Sequence, residues 1–584
     1  MSEKKIEQNK TVYFIILFVI IFLQLGRIIY GFVYLKEDFH SDEMWSFGLS
    51  NSYYEPFVYQ NADHTDKINY KSWFSSEVMR DYLTVDTEHR FSYGSVYYNQ
   101  VHDYHPPFYY FILHTICSFF PGKFSPWFSF VINIFAFICT DFFLYKLINE
   151  ISRSEITALI GCAFYGFSMG AFNTFEFVRI YSLATMISVL YLYYHAKLYH
   201  SDKIKKNMII IFFITLTGCL THHFFVPFAG CVSVCFCIYY LIRKRYKSFF
   251  AYSFTMVGSV AASVILFPAT IAHFFSDQTQ DAKYPFIWQF KLTLNCMLKE
   301  LFGVSVSVMK MHSYTADLIV AACICVLIIP LLFLFRKEVW FRNFISFLKK
   351  YFLKAVAKIK NTDLMIISIL VSVFGMILLT ALTVSYIFME KQTDRYIFIV
   401  FPGAIAAFTV IINSIFKCIK KQAVANFILA VLCTVFCVMS NLYGPDNYIF
   451  TKEDGAVSVQ KTIKDSDCVF ISDDFWLLTC FTRLSMESDY LYAITGENLK
   501  NDIADISDPP SDDSDLYYFV DENSLYVEYD TESMKWPVRG MGKDQSEKLT
   551  KTQLESELYE KYSMCEYIGF DNVFRRKFLI YKVK

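Results

Sequence analysis

A chain of 584 residues that is 55% hydrophobic, 19% aromatic and only 19% charged is not an ordinary soluble enzyme; soluble domains run at roughly 45–50% apolar and about 25% charged. The formal net charge of −1 conceals a segregation, with bases between the apolar runs and acids in two polar blocks, and no basic face suited to nucleic acid. Most of the 16 cysteines sit singly in apolar segments, where Cys behaves as a small hydrophobe. Cys468, Cys480 and Cys565 in the polar tail are an odd set and no disulfide framework.

In chain order, residues 12–34 form the first run able to cross a ~30 Å hydrocarbon core. The run is longer than a signal-peptide core and no small-residue cleavage site follows, so a retained helix is expected. The polar stretch 35–104 leads into "HDYHPPFYYFILHTICSFFPGK". Its apolar run 108–120 is short for a span and is bracketed by Pro106, Pro107, Pro121 and Gly122, which predicts a juxtamembrane helix. Further spans are expected near 127–148, 156–171, 178–196, 208–220, 224–242, 249–274, 316–335, 364–388, 397–416 and 425–442. With the N-terminus in the cytoplasm, "KLINEISRSE", "KLYHSDKIKK", "RKRYK", the basic segment 336–360 and "KCIKKQ" all fall inside, as the positive-inside rule requires. Counting 108–120 as a span would invert every later loop. Segment 336–360 is expected as an amphipathic helix on the inner leaflet, and 276–313 as a polar outer stretch.

The expected fold is therefore a polytopic α-helical membrane protein with about eleven transmembrane helices and a C-terminal extracytoplasmic α/β domain. Residues 1–443 form the membrane part, with 35–125 its first outer loop and juxtamembrane helices, and 444–584 the outer domain. In that tail "DCVFIS", "DLYYFV" and "FRRKFLIYKV" predict strands, "DQSEKLTKTQLESELYEKY" a helix and "SDPPSDDSD" a surface loop.

Sorted by side, Asp42, Glu43, Asp103, His105, Glu176, Arg179, His222, His223, Asp394 and Arg395 all fall at outer helix ends or outer loops. Each has a plain alternative. Asp42 and Glu43 fit the first turn of a helix capped by Ser41, the prolines after His105 fit a helix start, and Arg179, Tyr181, Arg395 and Tyr396 fit interfacial anchors. Their joint sidedness favours a reaction centre. A carboxylate can take the proton of an acceptor hydroxyl, arginine can fork two donors onto a phosphate, and a lipid phosphate would pair an arginine at membrane depth. No phosphate-binding glycine loop supplies energy, so an activated lipid donor would.

The motifs "HSDEMWS", "HPPFYYFILH", "FVRIYSL" and "RYIFIVFP", with "THHFF" beside them, resemble those of GT-C-fold glycosyltransferases. The likeness is to the group of protein O-mannosyltransferase-like and aminoarabinose-transferase-like enzymes that use polyprenyl-phosphate sugars. It covers residues 12–442 and implies a GT-C fold, a polyprenyl-phosphate-linked sugar donor and an extracytoplasmic acceptor hydroxyl on protein, lipid or envelope glycan. It implies a catalytic Asp42 with Glu43 in support, His105 near the donor phosphate, and Arg179 and Arg395 on donor or acceptor. Tyr109, Tyr181, His222, His223 and Tyr396 are the further binding candidates, and Trp45, Trp73 and Tyr110 potential pocket walls. The glutamate that relatives carry two residues before the arginine is Phe177 here, with Glu176 one position earlier, a rotation of ~100° on a helix. No cofactor is assigned, and a divalent cation is possible: His105, His222 and His223 beside Asp42 could assemble a site for one, though no ligand spacing compels it. The implied location is a bacterial plasma membrane, multi-pass. A lipid-linked glycan flippase or an envelope-polysaccharide polymerase or ligase remains the alternative; intramembrane Asp141 is the one charge that would suit a transporter.

Overall fold

A computed structural model describes residues 2–58, 71–200, 203–274, 286–305, 363–384, 393–419, 422–457, 463–474, 477–478, 480, 486–511, 514–526, 548–573 and 576–584. Among these, seven helices are long and apolar enough to cross a membrane: Thr11–Leu35, Trp127–Ser152, Phe225–Ile242, Tyr246–Leu266, Leu364–Thr383, Phe398–Lys417 and Gln422–Tyr443. The pair Glu155–Phe167 and Met169–Glu176, bent by 58° at its break, makes an eighth where it is counted as one span. The expected count of about eleven is thus not reached among the described residues, for physical reasons. The Ile204–Cys219 helix has only 16 residues. The Tyr181–His200 helix is long enough but carries buried Ser182, Thr185, Ser188 and His195, the composition of a helix enclosed by others. The expected elements at 316–335 and 336–360 lie outside the described residues. Within the stretch expected to be a polar loop lies the helix Phe286–Phe302. The juxtamembrane expectation holds a short apolar helix, Phe108–Ser118.

The chain packs as two units. The first comprises Met1–Arg27, Asn133–Phe175 and Ile180–Pro445. At the bend of this pair, side-chain donors satisfy the backbone carbonyls that the break frees. Arg27 donates to Phe167 O at 2.8 Å and Ser168 O at 3.3 Å, and Asn441 Nδ2 donates to Phe167 O at 2.8 Å. The Ser168 hydroxyl in turn accepts from Ala171 N at 3.2 Å, starting the second half.

The second unit comprises Ile28–Ile132, Glu176–Arg179 and Asp446–Lys584. The tail expected to stand alone from residue 444 is therefore joined by residues 28–132 and by a four-residue insert from the middle of the chain. Its centre is a six-stranded sheet built from β1 (Trp73–Ser75), β2 (Asp467–Ile471), β3 (Tyr490–Ile494), β4 (Leu516–Asp521), β5 (Cys565–Val573) and β6 (Arg576–Val583), in the order β1-β3-β2-β4-β6-β5. The central strand β2 is parallel to β3 and β4 and buried throughout, the run of apolar residues expected of such a strand. β6 and β5 follow antiparallel, and β1 closes the other edge on β3 with Trp73 opposite Tyr492. The helices Leu499–Asp505 and Lys551–Lys561 supply Leu499, Ile503, Leu554 and Leu558 to a core with Val469, Ile471, Ile494, Val520 and Tyr581. Trp73 belongs to this sheet: its ring lies 5.2 Å from that of Tyr492 and its Nε1 donates to Ser507 O at 3.0 Å.

Candidate functional site

In the second unit the sequence "KEDFHSDEMWS" folds around one acid pair whose members diverge. The helix Ser41–Asn51 is capped by His40 rather than by Ser41: His40 Nδ1 accepts from Asp42 N at 2.9 Å, and Glu43 Oε2 accepts from His40 N at 2.6 Å. This is a capping box with histidine in the usual serine or threonine place.

Glu43 is fully buried. Its Oε1 accepts from Lys36 Nζ at 2.7 Å and from Val178 N at 2.8 Å. Lys36 also donates to the carbonyls of Glu176 and Tyr448, each at 2.9 Å. Burial pushes the Glu43 carboxyl above its ordinary value, and the Lys36 charge offsets part of that rise. Four hydrogen bonds thus tie the helix start to the 176–179 insert and to residue 448. Glu43, expected in catalytic support, occupies the place of a structural tie, with no exposed oxygen to offer a substrate. Tyr109 is likewise enclosed, its hydroxyl 2.6 Å from Ser129 Oγ and 3.4 Å from Val178 O, which suits it to packing rather than to binding.

Asp42, one residue earlier, keeps 15% of its side chain exposed and meets Arg179 at 3.0 Å between Oδ2 and Nη1. The other guanidinium nitrogen, Nη2, lies 3.4 Å from His105 Nε2, and His105 Nδ1 is 2.8 Å from Asp103 Oδ2. With Arg179 donating, His105 accepts at Nε2 and donates from Nδ1 to Asp103. Burial opposes the charge on Asp103, but the hydrogen bond from His105 and the charge of Arg179 outweigh it and hold that carboxyl below its ordinary value. Asp42, Arg179, His105 and Asp103 thus form one alternating acid–base line at the entry of the Phe108–Ser118 helix. Glu176 is buried at the end of its helix. Phe177 stacks on Tyr448 with ring centres 4.2 Å apart and meets the His40 ring edge-on.

The remaining candidates gather in the first unit. The Tyr181 ring lies 5.2 Å from His222, whose Nδ1 accepts from Phe224 N at 3.0 Å. Arg395 lies 5.1 Å over the Tyr396 ring and donates to the Tyr396 hydroxyl at 3.2 Å. Tyr396 in turn faces Phe224 at 5.3 Å. His223 is set instead against His273 and Phe274. Sequence reasoning missed the buried Glu300, which accepts from Asn173 Nδ2 at 3.1 Å, and Lys36. A charged residue inside an apolar context was the available signal for Glu300. For Lys36 there was none, because a lysine at a helix exit is ordinarily solvated. Among the described residues no three His, Cys, Asp or Glu side chains gather in a way that could hold a metal ion.

Along nearly its whole length the chain is similar to ArnT from Cupriavidus metallidurans. The apo crystal structure of that protein matches at 9% identity with a TM-score of 0.48, covering 99% of this chain and 98% of that one. The structure bound to undecaprenyl phosphate matches at 9% identity with a TM-score of 0.46, covering 98% and 97%. A likeness at this level assigns no residue a role. No family model and no curated protein matches the chain.

Proposed function

We propose that this chain is an integral-membrane glycosyltransferase that moves a sugar from a polyprenyl-phosphate donor to an acceptor hydroxyl on the outer side of the membrane. The observation that carries the reading is the Asp42–Arg179 bridge at 3.0 Å, in which a partly exposed carboxylate is held by an otherwise buried guanidinium. A phosphate ester competes for that guanidinium with two oxygens in a forked geometry that a single carboxylate oxygen does not match. Donor binding then draws Arg179 onto the phosphate and frees Asp42 for the acceptor.

In the transfer, Asp42 takes the hydroxyl proton as the acceptor oxygen bonds to the anomeric carbon. The bond from that carbon to the phosphate oxygen breaks, and its electron pair leaves on the polyprenyl phosphate, whose charge Arg179 stabilises. Backside attack inverts the anomeric configuration. His105, fixed between Arg179 and Asp103, holds the guanidinium in place. The topology that puts this line outside follows from the segregation of lysine and arginine along the chain.

The test is release of polyprenyl phosphate by the purified full chain in liposomes, offered a panel of polyprenyl-phosphate sugars. Asp42→Asn should reduce release by at least about 100-fold, the scale of a lost general base, with the protein still folded. Release that persists unchanged in Asp42→Asn would remove Asp42 as the base.

A further inference from the structure

The first unit contains a cavity of about 410 Å³ whose wall includes none of the candidate site residues described above. It is lined at the end of the Trp127–Ser152 span by Tyr145, Lys146 and Glu150, at the following turn by Arg153 and Glu155, and on the Tyr181–His200 helix by Lys197. This is the helix end at which "KLINEISRSE" and "KLYHSDKIKK" bring lysine and arginine together.

The charges lining it do not cancel. Glu150 is shared by Lys197 at 2.7 Å, Arg153 at 3.1 Å and His200 at 3.4 Å. Glu155 accepts the Tyr145 phenol. Among the described residues Lys146 meets no carboxylate; its ammonium lies 4.3 Å over the Phe142 ring and 5.8 Å over Phe143. An ammonium a turn and a half inside a span ordinarily snorkels its charge to the headgroup level, and here the cavity opens beside it. Arg153 follows the helix end at φ 55°, the left-handed conformation in which helices often terminate, and its guanidinium lies 3.1 Å from Glu150 at the cavity rim.

We propose that this cavity is a second ligand site, which takes a phosphate-bearing anion, in the membrane the headgroup of an anionic phospholipid, with Lys146 as its counter-charge. The lipid source follows from the wall: a span end, the aromatic rings of Phe14, Tyr145 and Tyr193, and a surplus of cations at one leaflet. The site is independent of the glycosyl-transfer reading and stands or falls separately.

The experiment follows thermal unfolding of the full chain in detergent during titration with short-chain phosphatidylglycerol, phosphatidylcholine of the same chain length, or inorganic phosphate. Phosphatidylglycerol should stabilise the native chain saturably and phosphatidylcholine should not. Lys146→Met should weaken the phosphatidylglycerol response about fivefold, the contribution of one lysine at an anionic surface, and Lys146→Arg should retain it. Asn149 also lines the cavity; Asn149→Trp, which narrows it without altering a charge, should weaken the response as well, and keeps the test open if Lys146→Met does not fold. Stabilisation by inorganic phosphate alone, lost in Lys146→Met, would uphold the anion site and overturn its assignment to lipid. Equal responses to the two lipids, or a Lys146→Met chain that responds as the native one does, would overturn the proposal.

Discussion

Asp42 and Glu43 are neighbours in sequence with opposite environments. One residue turns a side chain by about 100° around a helix, enough to put Asp42 on Arg179 with some exposure and Glu43 on Lys36 with none. Removing one partner of a buried ion pair leaves the other uncompensated, so Lys36→Met and Glu43→Gln should each cost roughly 3–5 kcal/mol in thermal unfolding. The double variant Lys36→Met with Glu43→Leu should cost clearly less than the two together; strict additivity would show that the pair is not coupled. Asp103 makes a prediction of its own. Because His105 and Arg179 hold its carboxyl below the ordinary value of 3.8, the unfolded chain binds that proton more readily than the folded one. Its contribution is therefore complete above the unfolded value and is lost as pH falls through the folded one. Melting temperatures of the native chain and Asp103→Asn should differ at neutral pH and converge on acidification below the ordinary carboxylate range.

The elements show which local rules were enough. The helix Ser41–Asn51 was legible from its acids in the first turn, but its cap was not, since His40 is an uncommon capping residue and Ser41 the more usual one. Strands β2, β4 and β6 announced themselves by apolar runs, whereas β1 has only three residues and exists because β3 offers it an edge. Packing between the first two long spans is tight at Gly48, where an added methyl would run into the ring of the fully buried Tyr82, itself donating to Pro56 O at 2.9 Å. Gly48→Ala should therefore cost about 1–3 kcal/mol by overpacking. Combining it with Tyr82→Leu should recover part of the loss, as read by urea or thermal unfolding in detergent.

At the scale of the whole molecule, the distribution of lysine and arginine predicts an orientation for the chain. A phosphatase that is active only outside the cytoplasm, fused after Lys584, should be active, and the same enzyme fused after His200 should not. The reverse pattern would place Asp42 on the cytoplasmic side and remove the proposed reaction from the outer face. The sequence by itself determined the class of protein, most of the spans, the short apolar helix after His105 and the acids and bases worth watching, because hydropathy, charge sidedness and helix breaking are properties of consecutive residues. Only the tertiary structure decided that residues 28–132, 176–179 and 446–584 make one unit, and that Glu43 is a tie while Asp42 meets Arg179. Those outcomes depend on contacts such as Lys36 with Glu176 and Tyr448, separated by 140 and 412 positions. No local pattern encodes such pairings; they form where a buried charge finds the partners that offset its desolvation.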